Sequence, residues 1–321
     1  MNTNQAFAQA RDNIKLDRDE LDEAIKVHNQ VTEHLKKKGL IVGAFLQGSL
    51  ARKTMIKPLR DIDKVVLLAV DYRNRPNGVQ DAANDVARAL AELFPDLVPE
   101  IDKHCVKLDF GEHTFSFDIV PAIDLGDDID IIDTKNNIWK RSNTRELIRV
   151  VQQRNQDCAG NFVHQARLIK QFGRHQLDGC VPGLHLESLA FPAIPGVMND
   201  DEALAAALAE GARALAPGGT YFDPTGKDEL GRRLDPAVRA RAHTVFVTAA
   251  AAAADAVRQR VAGNHNAAIA IWHDMLGDAF PKPDPGQALN ALNIASGVST
   301  TGVVTPSATV KPTSTRSWRP A

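Results

Sequence analysis

Two aspartates separated by one residue at the head of an apolar run, in the stretch Asp61-Ile62-Asp63-Lys64-Val65-Val66-Leu67-Leu68, constrain this chain more than any other feature. The run reads as a strand. Strand side chains alternate faces, so Asp61 and Asp63 project together while Ile62 points the other way with Val66 and Leu68. Two carboxylates held side by side repel each other unless a cation neutralises them. Magnesium takes oxygen ligands and is commonly shared between carboxylates and substrate phosphates. Asp118 lies within Phe115-Ser116-Phe117-Asp118-Ile119-Val120, a second apolar strand pattern. An unpartnered aspartate there would carry a desolvation cost, which facing Asp61 and Asp63 across a sheet would explain. Upstream, Gln47-Gly48-Ser49 sits between a strand pattern and a helix start. Glycine lets the backbone approach a phosphate, helix-start N–H groups attract the anion, and the serine hydroxyl adds a donor. Alone, an Asp-x-Asp is usually a solvated strand edge and a Gly-Ser an ordinary turn. The ordered set, with roughly a dozen residues between turn and carboxylates, is specific.

Hydrophobic spacing organises the rest. Residues 17–39 carry Leu21, Ala24, Val27, Val31 and Leu35 at helical steps. Asp17 is the expected N-cap, with Glu20 at capping-box spacing and Gly39 as the stop. Strands are expected over 40–46, 61–70, 106–110 and 114–123, the last two forming a hairpin near Gly111, with a helix over 79–94. From residue 144 the pattern turns helical: 144–176 with a break around 157–160, then 184–193, 203–215, 236–261 and 267–276. The alanine-rich helices suit close packing. Strands first and helices after imply an α+β catalytic lobe over 1–142 and a helical lobe over 143–295. From Ser296 the chain is rich in Ser, Thr, Pro and Gly, and 296–321 is expected to be a disordered tail.

A chain of 321 residues with 44% hydrophobic content can bury one large core or two joined ones. Its 38 basic and 40 acidic residues give a net charge of -2, so no global field draws it to nucleic acid or anionic lipid. Cys105, Cys158 and Cys180 have no zinc-ligand spacing and read as idle thiols in a reducing compartment. The N-terminus lacks the apolar core of a signal peptide, and no apolar run is long enough to span a bilayer. A soluble, cytoplasmic protein is expected.

On Gly48–Leu68 and Phe115–Ile123 the chain resembles the DNA polymerase β-like nucleotidyltransferases. Within them it resembles the CD-NTases, relatives of cyclic GMP-AMP synthase and oligoadenylate synthetase, over residues 15–285. Three further stretches are similar: His164–Phe172, whose Lys170 matches a phosphate-contacting lysine; Pro182–Phe191, near the base-binding face; and Tyr221–Leu230 with the closing Leu276–Pro281. The resemblance implies a polymerase β-like palm sheet with an oligoadenylate-synthetase-like helical lobe. It implies two magnesium ions, with manganese as an alternative, on Asp61, Asp63 and Asp118. Asp61 and Asp63 would serve both ions, and Asp118 mainly the ion at the attacking 3′ or 2′ hydroxyl. Gln47, Gly48 and Ser49 would hold the β/γ-phosphates, with Lys170 as the main basic partner, Arg167 as a second, and Lys53, Lys57 and Arg60 near the entrance. The substrates would be NTPs such as ATP or GTP, the product a cyclic di- or oligonucleotide second messenger in bacterial anti-phage defence. One departure affects base recognition: relatives carry Ser-Tyr where this chain has Gly183-Leu184.

Two other functions fit the residues less well. An enzyme adding nucleotides to an RNA end would carry an extra basic surface, and addition to a protein acceptor would require an acceptor. A non-catalytic nucleotide-binding scaffold has no use for three costly carboxylates. The tail ends in Trp318-Arg319-Pro320-Ala321, and tryptophan and arginine are frequent interface anchors. A tail-binding partner is therefore expected, and the resemblance adds conjugation through Ala321.

Overall fold

The computed structural model describes residues 1–111 and 115–285. The first half runs α1 (Thr3–Ile14), α2 (Arg18–Lys37), β1 (Ile41–Leu46), α3 (Gly48–Ala51), β2 (Asp61–Leu68), α4 (Gly78–Leu93), β3 (Glu100–Ile101), β4 (Val106–Asp109), β5 (Ser116–Asp124), β6 (Ile129–Asp133) and β7 (Ile138–Ser142). The second half is helical: α5 (Thr144–Asp157), α6 (Phe162–Gln176), α7 (Gly183–Ala193), α8 (Asp200–Leu215), α9 (Pro236–Val261) and α10 (His265–Leu276). The tail beyond residue 285, including Trp318, Arg319 and Ala321, lies outside the described residues.

The sheet has the order β1-β2-β5-β4-β3, with β6 on β5 and β7 on β6. β1 and β2 are antiparallel, whereas β2 and β5 are parallel. A parallel pair needs a crossover, and the segment containing α4 supplies it. The strand period of two sorts β2 by face. Ile62 and Val66 are buried in the cluster with α2 and α4, together with Phe117 and Ile119 of β5. Val65 and Leu67 pack with Val120, Ala122, Ile129 and Cys105 in a smaller cluster. Asp61 and Asp63 therefore continue the face of Val65 and Leu67, and Asp118 that of Val120 and Ala122. Lys64, on the other face, is fully buried against α2, where its Nζ donates to the His28 carbonyl at 2.6 Å and lies 3.1 Å from His28 Nδ1.

A second core joins α5 to α10, and α1 belongs to it: Ala6, Phe7, Ala10 and Ile14 are all buried there. Phe7 makes edge contacts with Trp272 and Phe280, at ring separations of 5.2 and 4.9 Å. The polar composition of the first residues hides this helix, because only a narrow stripe of small and aromatic residues faces inward. Its start is fixed by a reciprocal box, in which Asn2 accepts from the Gln5 backbone at 2.9 Å and Gln5 from the Asn2 backbone at 2.9 Å. The box expected at Asp17 is absent: Asp17 occupies the N-cap of α2, but its side chain makes no capping hydrogen bond. The break between α5 and α6 falls at Ala159 and Gly160, both with positive φ, a left-handed exit from a helix. Among the described residues, no helix is long and apolar enough to cross a membrane.

Candidate active site

The parallel register sets Asp63 directly beside Asp118 and Asp61 beside Ser116. Ser116 Oγ donates to Asp61 Oδ1 at 2.9 Å. On its other side, β4 places Lys107 opposite Asp118. All three carboxylates thus rise from one face of two neighbouring strands, although no three His, Cys, Asp or Glu side chains among the described residues are drawn together as ligands. Burial first, then the charges of Asp118 and Asp61, raise Asp63 from its ordinary range to about 6 against the opposing pull of Arg52. Asp118 is also raised, first by burial and then by Asp61, against the pull of Lys107 and of a hydrogen bond from Cys105. That thiol is itself pushed up to about 12 by burial and the neighbouring carboxylates.

Three observations test whether a divalent cation suits this place. The donor set is all carboxylate oxygen, which hard cations prefer. Asp118 Oδ1 is buried and has no hydrogen-bond partner among the described residues, an uncommon and costly state for a buried oxygen. The loop above them is built around a missing side chain: a Cβ on Gly48 would lie 1.8 Å from Asp63 Oδ2. Gly48 has φ +67, a conformation that favours glycine, and the Gln47 N–H donates to the Asp63 carbonyl at 2.8 Å. The residues present therefore fit a divalent cation held by these carboxylates.

Gln47, Gly48, Ser49, Asp61 and Asp63 line a cleft of about 860 Å³. Arg52, Arg60, Lys170 and Arg174 bring positive charge to its wall, a field suited to polyphosphate. Across it stand Pro182, Gly183 and Leu184, with Asn143 and Asp223 at a further edge. Asp223 is locked in its turn by Thr225 and by the backbone of Lys227 and Asp228. A second cleft of about 700 Å³ shares Arg60 and Asp61 with the first and adds Glu20, Lys107, Asp109 and Ser116.

The expected basic partners are placed unequally. Lys170 reaches the cleft wall, but its Nζ is engaged, donating to Thr54 Oγ1 at 2.9 Å and lying 3.2 Å from Glu187 Oε2. Arg167 is not among the lining residues; its buried Nε finds no partner among the described residues, and burial lowers its pKa. Arg60 lines both clefts, whereas Lys57 pairs with Asp17 at 3.8 Å on the outside. Sequence reasoning missed Arg52 and Arg174. It also missed Glu187, although a glutamate inside the apolar run Leu184–Phe191 is a signal, since such a residue is rarely buried without a partner. Gly183 packs against Lys170: a Cβ there would meet Cε at 3.3 Å.

Residues 1–155 match the Second Messenger Oligonucleotide or Dinucleotide Synthetase domain family. No curated protein sequence matches the chain. Among solved structures, the fold is similar to that of CdnC from E. coli MS115-1 with ATP, at TM-score 0.67 and 18% identity, covering 88% of this chain and 99% of that one. It is also similar to the CD-NTase CdnG of Bradyrhizobium diazoefficiens with GTP, at TM-score 0.66 and 16% identity over 85% and 95% of the two chains. Vibrio cholerae DncV in its GTP-bound form matches at TM-score 0.65 and 12% identity, over 88% and 97%. The architecture is thus the polymerase β-like nucleotidyltransferase fold, as the resemblance implied.

Proposed function

We propose that the chain is a nucleotidyltransferase of the CD-NTase family, in keeping with the second-messenger synthetase domain match over residues 1–155, and that it is a metal-dependent synthase joining NTPs into cyclic di- or oligonucleotides for anti-phage defence in the bacterial cytoplasm. The observation that carries the reading is the adjacency of Asp63 and Asp118 across parallel strands, with Gly48 pressed on Asp63 at the mouth of a basic cleft.

In this reading Asp61, Asp63 and Asp118 would hold two magnesium ions, with manganese as the alternative, and the bound metal would supply neutralisation of phosphate charge and a more acidic attacking hydroxyl. The chain's own groups do the positioning that phosphoryl transfer chiefly requires. The Gly48 and Ser49 backbone and Ser49 Oγ grip the β/γ-phosphates, and Gln47, whose N–H is bound to β2, fixes that loop over Asp63. Arg52 and Lys170 face the polyphosphate from the cleft wall. Asp118, beside Asp63 in the register though in the lining of neither cleft, would serve mainly the ion at the attacking 3′ or 2′ hydroxyl, and Arg167, also outside the lining, is a more distant contributor to the field. The hydroxyl oxygen bonds to the α-phosphorus as the bond to the β-phosphate oxygen breaks. Pyrophosphate leaves with that electron pair, and the hydroxyl proton passes to solvent. A second transfer within the linear intermediate closes the ring.

The solved structures include CdnC, CdnG and DncV with ATP or GTP, and a complex of E. coli MS115-1 CdnC with HORMA-deltaN. By that analogy ATP and GTP are the first substrates to test, and a partner protein is expected, here captured by the tail that ends in Trp318, Arg319 and Ala321. The decisive assay incubates the purified protein with four labelled NTPs and magnesium and then adds phosphatase. Label retained in a phosphatase-resistant product of NTPs alone supports a ring. Incorporation only when RNA or protein acceptor is added would replace the reading with terminal or protein nucleotidylation, and no incorporation at all with a scaffold.

A further inference from the structure

Behind the cleft wall lies a cluster that the transfer reaction, as drawn above, leaves unexplained. Glu187, on α7, is 0% exposed, and Thr54 is 0% exposed. Arg52 Nε donates to Glu187 Oε1 at 2.7 Å, with Nη2 3.5 Å from Oε2. Thr54 Oγ1 donates to Glu187 Oε2 at 2.7 Å, and Lys170 Nζ approaches the same oxygen at 3.2 Å while donating to Thr54. Arg52 and Lys170 line the cleft; Glu187 and Thr54 do not. The carboxylate thus cannot touch a ligand in the cleft, yet it touches both cations that do.

We propose that Glu187 is a positioning residue for nucleotidyl transfer, holding Arg52 and Lys170 at a fixed spacing so that the triphosphate meets them without searching. The proposal rests on the synthase reading. Two basic side chains converge on one carboxylate, so the cluster accommodates a further anion on its cleft side. A buried ion pair adds little stability over apolar packing of the same volume, which leaves geometry as what this one supplies. It also couples separate elements. Arg52 and Thr54 follow the phosphate loop α3, Lys170 comes from α6 and Glu187 from α7, so one carboxylate ties the loop that grips phosphate to the helices across the cleft. Such locking lowers the reorganisation needed at the moment of reaction. Gly183 contributes by leaving space beside Lys170 Cε.

The test compares wild type, Glu187→Gln and Glu187→Asp. Turnover of NTPs is measured with magnesium, and binding of inorganic tripolyphosphate and of orthophosphate by calorimetry in EDTA. Glutamine keeps the shape and loses the charge that fixes the cations. We expect kcat to fall roughly a hundredfold, with KM rising as the grip on the triphosphate loosens, and Glu187→Asp to recover part of both. The preference of wild type for tripolyphosphate over orthophosphate should collapse in Glu187→Gln even though each anion still binds. If the glutamine variant does not fold, Thr54→Val, which removes the hydroxyl between Lys170 and Glu187, should show the same pattern at roughly tenfold. Unchanged kcat and unchanged anion preference overturn the proposal. So does a parallel loss of both anion affinities with cooperative unfolding, the signature of a purely structural residue. A wild type that prefers tripolyphosphate but makes no nucleotide product would refute the synthase reading, and the anion preference of Glu187→Gln would still decide the role of Glu187.

Discussion

At the scale of single residues, Asp63 is held by burial and by its neighbouring carboxylates in a state that favours its proton. Its pKa in the folded chain, about 6 against an ordinary 3.8, means that the folded metal-free state binds the proton more tightly than the unfolded one. Stability from this group is fully present below the ordinary value and is lost as pH rises through about 6, by on the order of 3 kcal/mol at most. Denaturant midpoints measured in EDTA between pH 4 and 7 should fall with pH, and Asp63→Asn should flatten that slope. Magnesium should stabilise the wild type above pH 6 far more than below it. Asp118→Asn keeps the shape and removes the charge, so kcat should fall at least a hundredfold while NTP binding changes little; an effect on KM alone would reassign Asp118 to substrate placement. Gly48→Ala should cost about 1–2 kcal/mol for its positive φ and nearly all turnover, because the new methyl would have to displace the Asp63 carboxylate. A stopped-time product assay beside thermal unfolding separates the two effects. The shared face of the carboxylate pair was legible because a strand period of two puts residues 61 and 63 on the same side. Lys64 was not: nothing local distinguishes a lysine that is 0% exposed and bound to α2 from a solvated one.

At the scale of elements, the helices were legible where the apolar stripe is strong. The span 236–261 agrees with α9 (Pro236–Val261), where Asp235 caps the start by accepting from Ala237 and Val238. β6 and β7 escaped notice because two of the buried positions of β6 are aspartates and β7 has no fully buried residue. Asp130 of β6 is buried against Arg73 and Arg141, and Asp133 accepts from Asn136 and faces Lys103. Satisfied carboxylates in a strand imitate a polar loop in sequence. α1 was missed for the opposite reason, since its few apolar residues do unusual amounts of packing. Phe7→Ala removes a ring 1% exposed between Trp272 and Phe280, and should destabilise the fold by about 3–5 kcal/mol. Asn2→Ala should cost about 1 kcal/mol through its cap. Urea unfolding of both variants checks the ranking. Gly183→Ser tests the departure from the Ser-Tyr pattern: its Cβ would press on Lys170 Cε, so a modest loss of turnover, severalfold rather than complete, is expected.

At the scale of the whole molecule, the α+β order of strands then helices was readable from the change of period near residue 144. The parallel pairing of β2 with β5 was not, because periodicity says which face a residue takes and never which strand lies beside it. That pairing alone puts Asp63 next to Asp118. The role proposed for the tail is tested by deletion. Removing residues 310–321 should leave synthesis by the purified protein intact and abolish defence in cells. Collapse of synthesis would instead make the tail part of the enzyme. The place of α1 has a consequence for how the molecule is made. Thr3 Oγ1 lies 3.0 Å from His265 Nδ1, a contact between residues 262 positions apart, and Phe7 finds its ring partners only in and after α10. During synthesis α1 emerges well before its seat on α10, and has none until α10 has left the ribosome. Closure over so long a loop is slow, and an early apolar stripe left waiting is a natural client for a chaperone. Ribosome-bound chains halted before α10 should therefore be cut by protease within α1, and resist only once α10 is free.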